Sequence, residues 1–130
     1  EKKLGRERAH HIVGEAIAQS YVAYRDKLGF EKDQHPRGEG QESGGSPAFP
    51  VEREIVEDTD KLFGQNITEC AFADYFHSIG EPEIGALMTC GVDFAAEACM
   101  RPSWEFQRTQ TRMQGAPFCD FRWRKTDSKT

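Results

Sequence analysis

Two cysteine–acid pairs and a small set of arginines are the residues of this chain whose types and spacing suit covalent chemistry. Cys119 stands beside Asp120, and Cys90 lies three residues before Asp93. A thiol attacks as its thiolate, so a catalytic cysteine needs a cation, a histidine or a helix N-terminus to lower its pKa. Arg108 or Arg112, depending on strand register, supplies that cation to Cys119. His77 is the corresponding candidate for Cys70, if the intervening chain turns back. Asp93 and Asp120 are candidates for a general base and its orienter. Arg108 suits a substrate carboxylate, because a guanidinium binds one through two parallel bonds. Arg112, Thr109 and Thr111, with Tyr75 and His77 on a short helix, complete the candidate substrate contacts. Each has a plainer role to weigh against it. A lone cysteine is most often a small buried hydrophobe, and a lone aspartate is most often a turn, cap or ion-pair residue.

These groups must be positioned by the last third of the chain. Residues 104–125 read WEFQRTQTRMQGAPFCDFRWRK, two strand-like runs about a turn with Gly115, which predicts a β-hairpin. Alternation puts Cys119, Phe121 and Trp123 on one face and Asp120, Arg122 and Arg124 on the other. A plain two-residue turn sets Arg112 beside Cys119 and Arg108 beside Trp123. One extra residue at a glycine bulge instead sets Met113, Thr111 and Thr109 against Cys119, Phe121 and Trp123, with Arg112 opposite Asp120. The second register is preferred, because it gathers one apolar face and gives the acid a cation.

The elements before the hairpin follow from periodicity. Ala9, Ile12, Val13, Ala16, Ile17, Tyr21, Tyr24 and Leu28 recur at helical steps, predicting a helix over 4–28 with one buried stripe and Gly29 as its C-cap. His10 and His11 lie on it without the partners a metal would need. Residues 31–50 are rich in Gly, Ser, Pro and Glu and read as a mobile loop, a spacer in preference to a lid. Residues 51–58 and 66–72 read as strands, with 60–65 as the turn or short helical turn between them. Phe72, Tyr75, Phe76 and Ile79 favour a helix over 73–79 against an extension of the strand. Gly80 ends it, and Pro82 opens a second helix running to about Met100, on which Cys90 and Asp93 share a face. The sum is one domain, residues 1–130, with an α+β core over 51–125. Its antiparallel sheet of about four strands carries helices on one face, beside the long N-terminal helix.

Composition narrows the partners. The chain has 130 residues and a net charge of −5, which disfavours nucleic acid and anionic membrane. Its longest apolar runs fall short of the ~18 residues of a membrane span, and its start lacks the apolar stretch of a signal peptide. The four cysteines include no Cys-x-x-Cys pair, so zinc ribbons and thioredoxin-type motifs are not expected. Reduced thiols in a cytoplasm are favoured over two disulfides. No phosphate loop, serine elbow or His-Glu-x-x-His helix occurs, so neither a cofactor nor a metal is expected. The sequence leaves self-association open.

From Cys70 to Arg124, the stretches CAFADYFHSIGEPEIG, CGVDFAAE and RTQTRMQGAPFCDFRWR resemble the L-2-amino-thiazoline-4-carboxylic acid hydrolase-like family. The telling motifs are Cys90-x-x-Asp93 and Arg108-Thr109-x-Thr111 followed by Gly115 and Cys119-Asp120-Phe121. The resemblance implies hydrolytic opening of a thiazoline ring to an N-carbamoyl amino acid. The Gly-x-x-x-Cys-x-Phe ending is also similar to 4-vinyl-reductase-type small-molecule-binding domains, which implies a ligand pocket between helices and hairpin. The expected function is therefore hydrolysis of a small cyclic amidine, or another non-peptide C–N bond, in a carboxylate-bearing substrate. Cys119 or Cys90 would attack, Asp93 or Asp120 would move protons, and Arg108 would anchor the carboxylate. The alternative is a binding or sensory module that uses the same pocket without catalysis.

Overall fold

The computed structural model describes residues 2–29, 31–37 and 50–126. Helix α1 (Lys2–Leu28) is followed by strands β1 (Val51–Asp58) and β2 (Leu62–Cys70). Helices α2 (Ala71–Ser78) and α3 (Pro82–Met88), a 3-10 turn (Cys90–Val92) and helix α4 (Asp93–Met100) come next, and β3 (Trp104–Gln107) and β4 (Cys119–Lys125) close the fold. The four strands form one antiparallel sheet in the order β1-β2-β4-β3. This is the α+β architecture that the sequence predicts. No helix among the described residues is long and apolar enough to cross a membrane.

The first two strands meet at a tighter turn than predicted. Thr59 closes it by accepting the backbone N–H groups of Lys61 and Leu62 on its hydroxyl, a local side-chain-to-backbone turn. Residues 62–65, expected in the connection, are therefore strand. Gly64 makes the stretch look like a turn, but it sits mid-strand for another reason. A Cβ there would lie 3.0 Å from Arg122 Cδ and 3.1 Å from Val56 Cγ2, so neighbouring side chains use the missing volume. The inward row Phe63, Gln65, Ile67 faces Trp123, Phe121, Cys119 of β4. Phe63, Trp104 and Trp123 form the core, with Phe106 and Phe121 packed on it.

Three further expectations change. The hairpin exists as the β3–β4 pair, but in neither predicted register: Phe106 faces Trp123 and Gln107 faces Arg122. Residues 108–118 leave the ladder because Asp120 captures the backbone N–H groups of Thr109 (2.8 Å) and Gln110 (2.9 Å) and the Thr109 hydroxyl. Thus Asp120 faces the start of the loop, and Arg112 is not its strand partner. The helix predicted from Pro82 to Met100 breaks at Thr89, whose backbone leaves helical values (φ −123, ψ −70). Its hydroxyl donates to the Gly85 carbonyl at 2.8 Å. Gly91 permits the tight turn that follows, since a Cβ there would lie 2.7 Å from the Ala86 carbonyl oxygen. Finally, α1 does not bury its largest apolar residues. Ile12, Val13, Tyr24 and Leu28 are exposed, and α1 instead brings Gly14 against Leu87 of α3, 3.0 Å from where a Cβ would be. Of the predicted stripe, Ile17 and Tyr21 are half-buried, on the same face as Gly14, Ala18 and Val22.

Residues 31–37, read as part of a mobile loop, form a strap on the core. Asp33 accepts the Ser103 backbone N–H (2.7 Å) and hydroxyl (2.9 Å). His35 stands edge-on to Phe63 and Trp104 and donates to the Thr59 carbonyl, and Arg37 pairs with Asp58. The rest of that predicted loop, residues 38–49, lies outside the described residues.

Candidate functional site

Between the sheet and the broken helix lies a cavity of about 230 Å³. Strand β2 contributes Gln65, Ile67 and Cys70, and β4 contributes Cys119 and Phe121. The helical side contributes Thr89, Cys90 and Asp93. The walls are mostly apolar, with Asp93 the one carboxyl among them. A volume of this size is below the ~300 Å³ of ordinary ligand pockets and suits a small ring.

Asp93 opens α4, where the 3-10 turn delivers it to the cavity wall. Its Oδ2 accepts Arg108 Nη1 at 2.7 Å, and the same nitrogen donates to the Cys90 carbonyl at 2.9 Å. The guanidinium rests over the Phe94 ring, 5.0 Å from its centroid. Burial pushes the Asp93 carboxyl up to about 6 from its ordinary 3.8, and the Arg108 charge opposes this without cancelling it, while Glu97 adds to the rise. A carboxyl poised near neutrality can both take and return a proton at physiological pH.

The thiols behave in the opposite way to the expectation of a lowered pKa. Burial raises Cys119 to about 11, outweighing the Arg112 backbone N–H, 3.2 Å from its sulfur, and the more distant Arg108 charge. Burial likewise raises Cys90, against the pull of a Thr89 hydrogen bond. All four cysteines are free. Among the described residues, no group of three or more His, Cys, Asp or Glu is placed to hold a metal ion.

Of the sequence-predicted residues, the structure thus brings together Cys90, Asp93 and Cys119 around the cavity, with Arg108 behind Asp93. The others lie elsewhere. Asp120 pins residues 109–110; burial would raise its carboxyl, but hydrogen bonds from Thr109 and Gln110 outweigh this and hold it low. Thr111 is buried in a turn, bonded to the Gln114 side chain. Arg112 Nη1 donates to the Pro117 carbonyl, and its other terminal nitrogen lies 4.0 Å from Asp74. His77 donates to the Met113 carbonyl at 2.8 Å, tying α2 to the 108–118 segment rather than approaching Cys70. Tyr75 is exposed. Sequence reasoning missed Gln65 and Thr89 as wall residues. The alternation Phe63, Gln65, Ile67 was the available signal for Gln65, hidden by reading Gly64 as a turn residue.

A family model for L-2-amino-thiazoline-4-carboxylic acid hydrolase matches residues 1–123, taking in α1 as well as the motif-bearing C-terminal half. No curated protein and no solved structure matches the chain at a significant level.

Proposed function

Because the chain belongs to the L-2-amino-thiazoline-4-carboxylic acid hydrolase family, we propose that it opens a small cyclic amidine bearing a carboxylate, with Asp93 as the proton-handling group. The observation that carries this reading is a carboxyl raised to about 6 in the wall of a small, mostly apolar cavity and paired to Arg108. A protonated amidine and a carboxylate offer two N–H groups and two oxygens that match in the same bidentate way as a guanidinium and a carboxylate. Asp93 therefore meets the amidinium from the cavity wall, and Arg108, bonded to Asp93 and to the Cys90 carbonyl from behind, fixes the Asp93 carboxylate in place instead of anchoring the substrate carboxylate as expected from the sequence.

For a 2-amino-thiazoline, Asp93 takes a proton from water as the water oxygen bonds to the ring carbon between nitrogen and sulfur. The C=N electron pair moves onto the ring nitrogen, which keeps a proton. The C–S bond then breaks with its electrons on sulfur, and the proton held by Asp93 goes to that sulfur. As the C=O forms, the hydroxyl proton of the adduct passes to the freed Asp93 carboxylate and from there to solvent, which returns the proton that the amidinium brought, so the products are a neutral urea-type carbonyl and a free thiol. Cys90 and Cys119, held protonated by burial, line the site beside the ring in place of the attacking role expected from the sequence. The test is incubation of the protein with 2-amino-thiazoline-4-carboxylate and chromatographic measurement of the ring-opened thiol. Time-dependent, enzyme-proportional release is expected. Unchanged substrate at substrate-level excess of enzyme would refute the proposal.

A further inference from the structure

We infer that Gln65 supplies the hydrogen-bond donor that receives the new oxygen when water adds to the amidine carbon. The inference rests on the hydrolytic reading above and adds a catalytic residue from the other layer of the fold. Gln65 is 7% exposed. It occupies the middle of the inward row of β2, between Phe63 and Ile67 and opposite Phe121. A primary amide in that apolar row is unfavourable unless its donors and acceptor are used.

Its acceptor is used. Arg53 Nη1 donates to Gln65 Oε1 at 2.7 Å. A guanidinium carries donors only, so this contact fixes which end of the amide is oxygen and turns the NH2 group away from Arg53. The backbone is held as well, since Arg122 Nη1 donates to the Gln65 carbonyl at 3.0 Å while Nη2 holds Asn66 at 2.9 Å. Gln65 is thus clamped from both flanking strands, β1 and β4. The NH2 group has no acceptor among the described residues, yet it is not sealed from solvent, and Gln65 lines the cavity that Asp93 lines from the helical side.

A fixed NH2 donor discriminates between the two ends of the reaction. The amidinium presents N–H donors, which do not match another donor. The oxygen added by water presents lone pairs at every stage, and the urea-type carbonyl that it becomes presents acceptors only. Gln65 therefore binds the reaction more tightly as it proceeds, which is the condition for rate acceleration. Removal of one such donor commonly costs on the order of 10²–10³ in kcat.

Two variants of the full chain test this. Gln65→Glu keeps the size of the side chain and its bond to Arg53 but removes the donor and adds a negative charge. Gln65→Met removes the donor without the charge. The readouts are kcat and KM for 2-amino-thiazoline-4-carboxylate, and the inhibition constant of its ring-opened carbamoyl product. Both variants are expected to lose about 10²-fold in kcat and to bind the product at least ~10-fold more weakly. KM should fall or hold in Gln65→Glu and stay within about twofold in Gln65→Met. Equal weakening toward substrate and product, or neither weakened with kcat within about threefold of wild type, overturns the assignment. If the wild type opens the ring and the variants keep their product affinity, only the Gln65 inference fails. A wild type that neither opens the ring nor binds either compound sinks both readings.

Discussion

Replacing Asp93 by Asn is expected to lower kcat/KM by about 10²–10⁴, the usual worth of a positioned general base, while the protein stays folded. Asn keeps the shape of the side chain and can still accept from Arg108, but it can neither remove a proton from water nor neutralise an amidinium. Cys90→Ala and Cys119→Ala are the matching controls. Their thiols are pushed up by burial, Cys119 to about 11, so each variant should keep at least about a tenth of wild-type activity. Steady-state kinetics on the three variants decides between water activation and thiol attack. Loss of activity in a cysteine variant with retention in Asp93→Asn would reverse the assignment.

The largest stability effect is expected at Phe63. This side chain is 1% exposed and anchors the cluster with Trp104 and Trp123. His35 of the strap lies edge-on to the ring, 5.7 Å between centroids, and the Arg53 guanidinium lies 5.9 Å from its centroid. Truncation to Ala leaves a cavity that the surrounding β-sheet cannot collapse, and such changes cost about 3–5 kcal/mol. That is a large share of the ~5–15 kcal/mol that holds a domain folded. Urea denaturation should show a strongly lowered midpoint with an unchanged slope. A loss below about 1 kcal/mol would mean that Phe63 is not a central core residue. Because Arg53 also holds Gln65, residual activity of a folded variant should fall with the packing.

The parts of this molecule legible in the sequence are those fixed by local rules. Strand Val51–Asp58, the short helix after Cys70 and the apolar face of Cys119, Phe121 and Trp123 all follow from periodicity and glycine punctuation. The shared placement of Cys90 and Asp93 also follows from their spacing, even though the helix carrying them breaks. What local rules do not reveal is competition from side chains. Asp120 takes two loop N–H groups and ends the hairpin ladder where pattern alone continues it, while the helix stops at Thr89 and Gly91 packs tightly on the Ala86 carbonyl. The same limit applies to the site chemistry. A thiol near arginines looks activated in sequence, but burial outweighs those charges and activates the neighbouring acid instead. Residue types showed which groups were present, and only packing decided which of them could ionise.

The pH dependence of Asp93 follows with a definite sign. Its carboxyl titrates higher in the fold than its ordinary 3.8, so the folded state prefers the protonated form. That preference contributes stability fully below the ordinary value and loses it as pH rises through about 6. Activity runs the other way, because the base must be ionised: kcat/KM should rise through about 6 toward a plateau. The most direct measurement is a carbon-13 NMR titration of the Asp93 side-chain carboxyl, identified by its disappearance in Asp93→Asn, with and without the ring-opened product or an unreactive cyclic amidine. A midpoint near 6 in the free protein that moves down when the amidine cation binds is the predicted result. A midpoint at the ordinary carboxylate value, or one that no amidine moves, would contradict the assignment of Asp93 as the group on which the reaction turns.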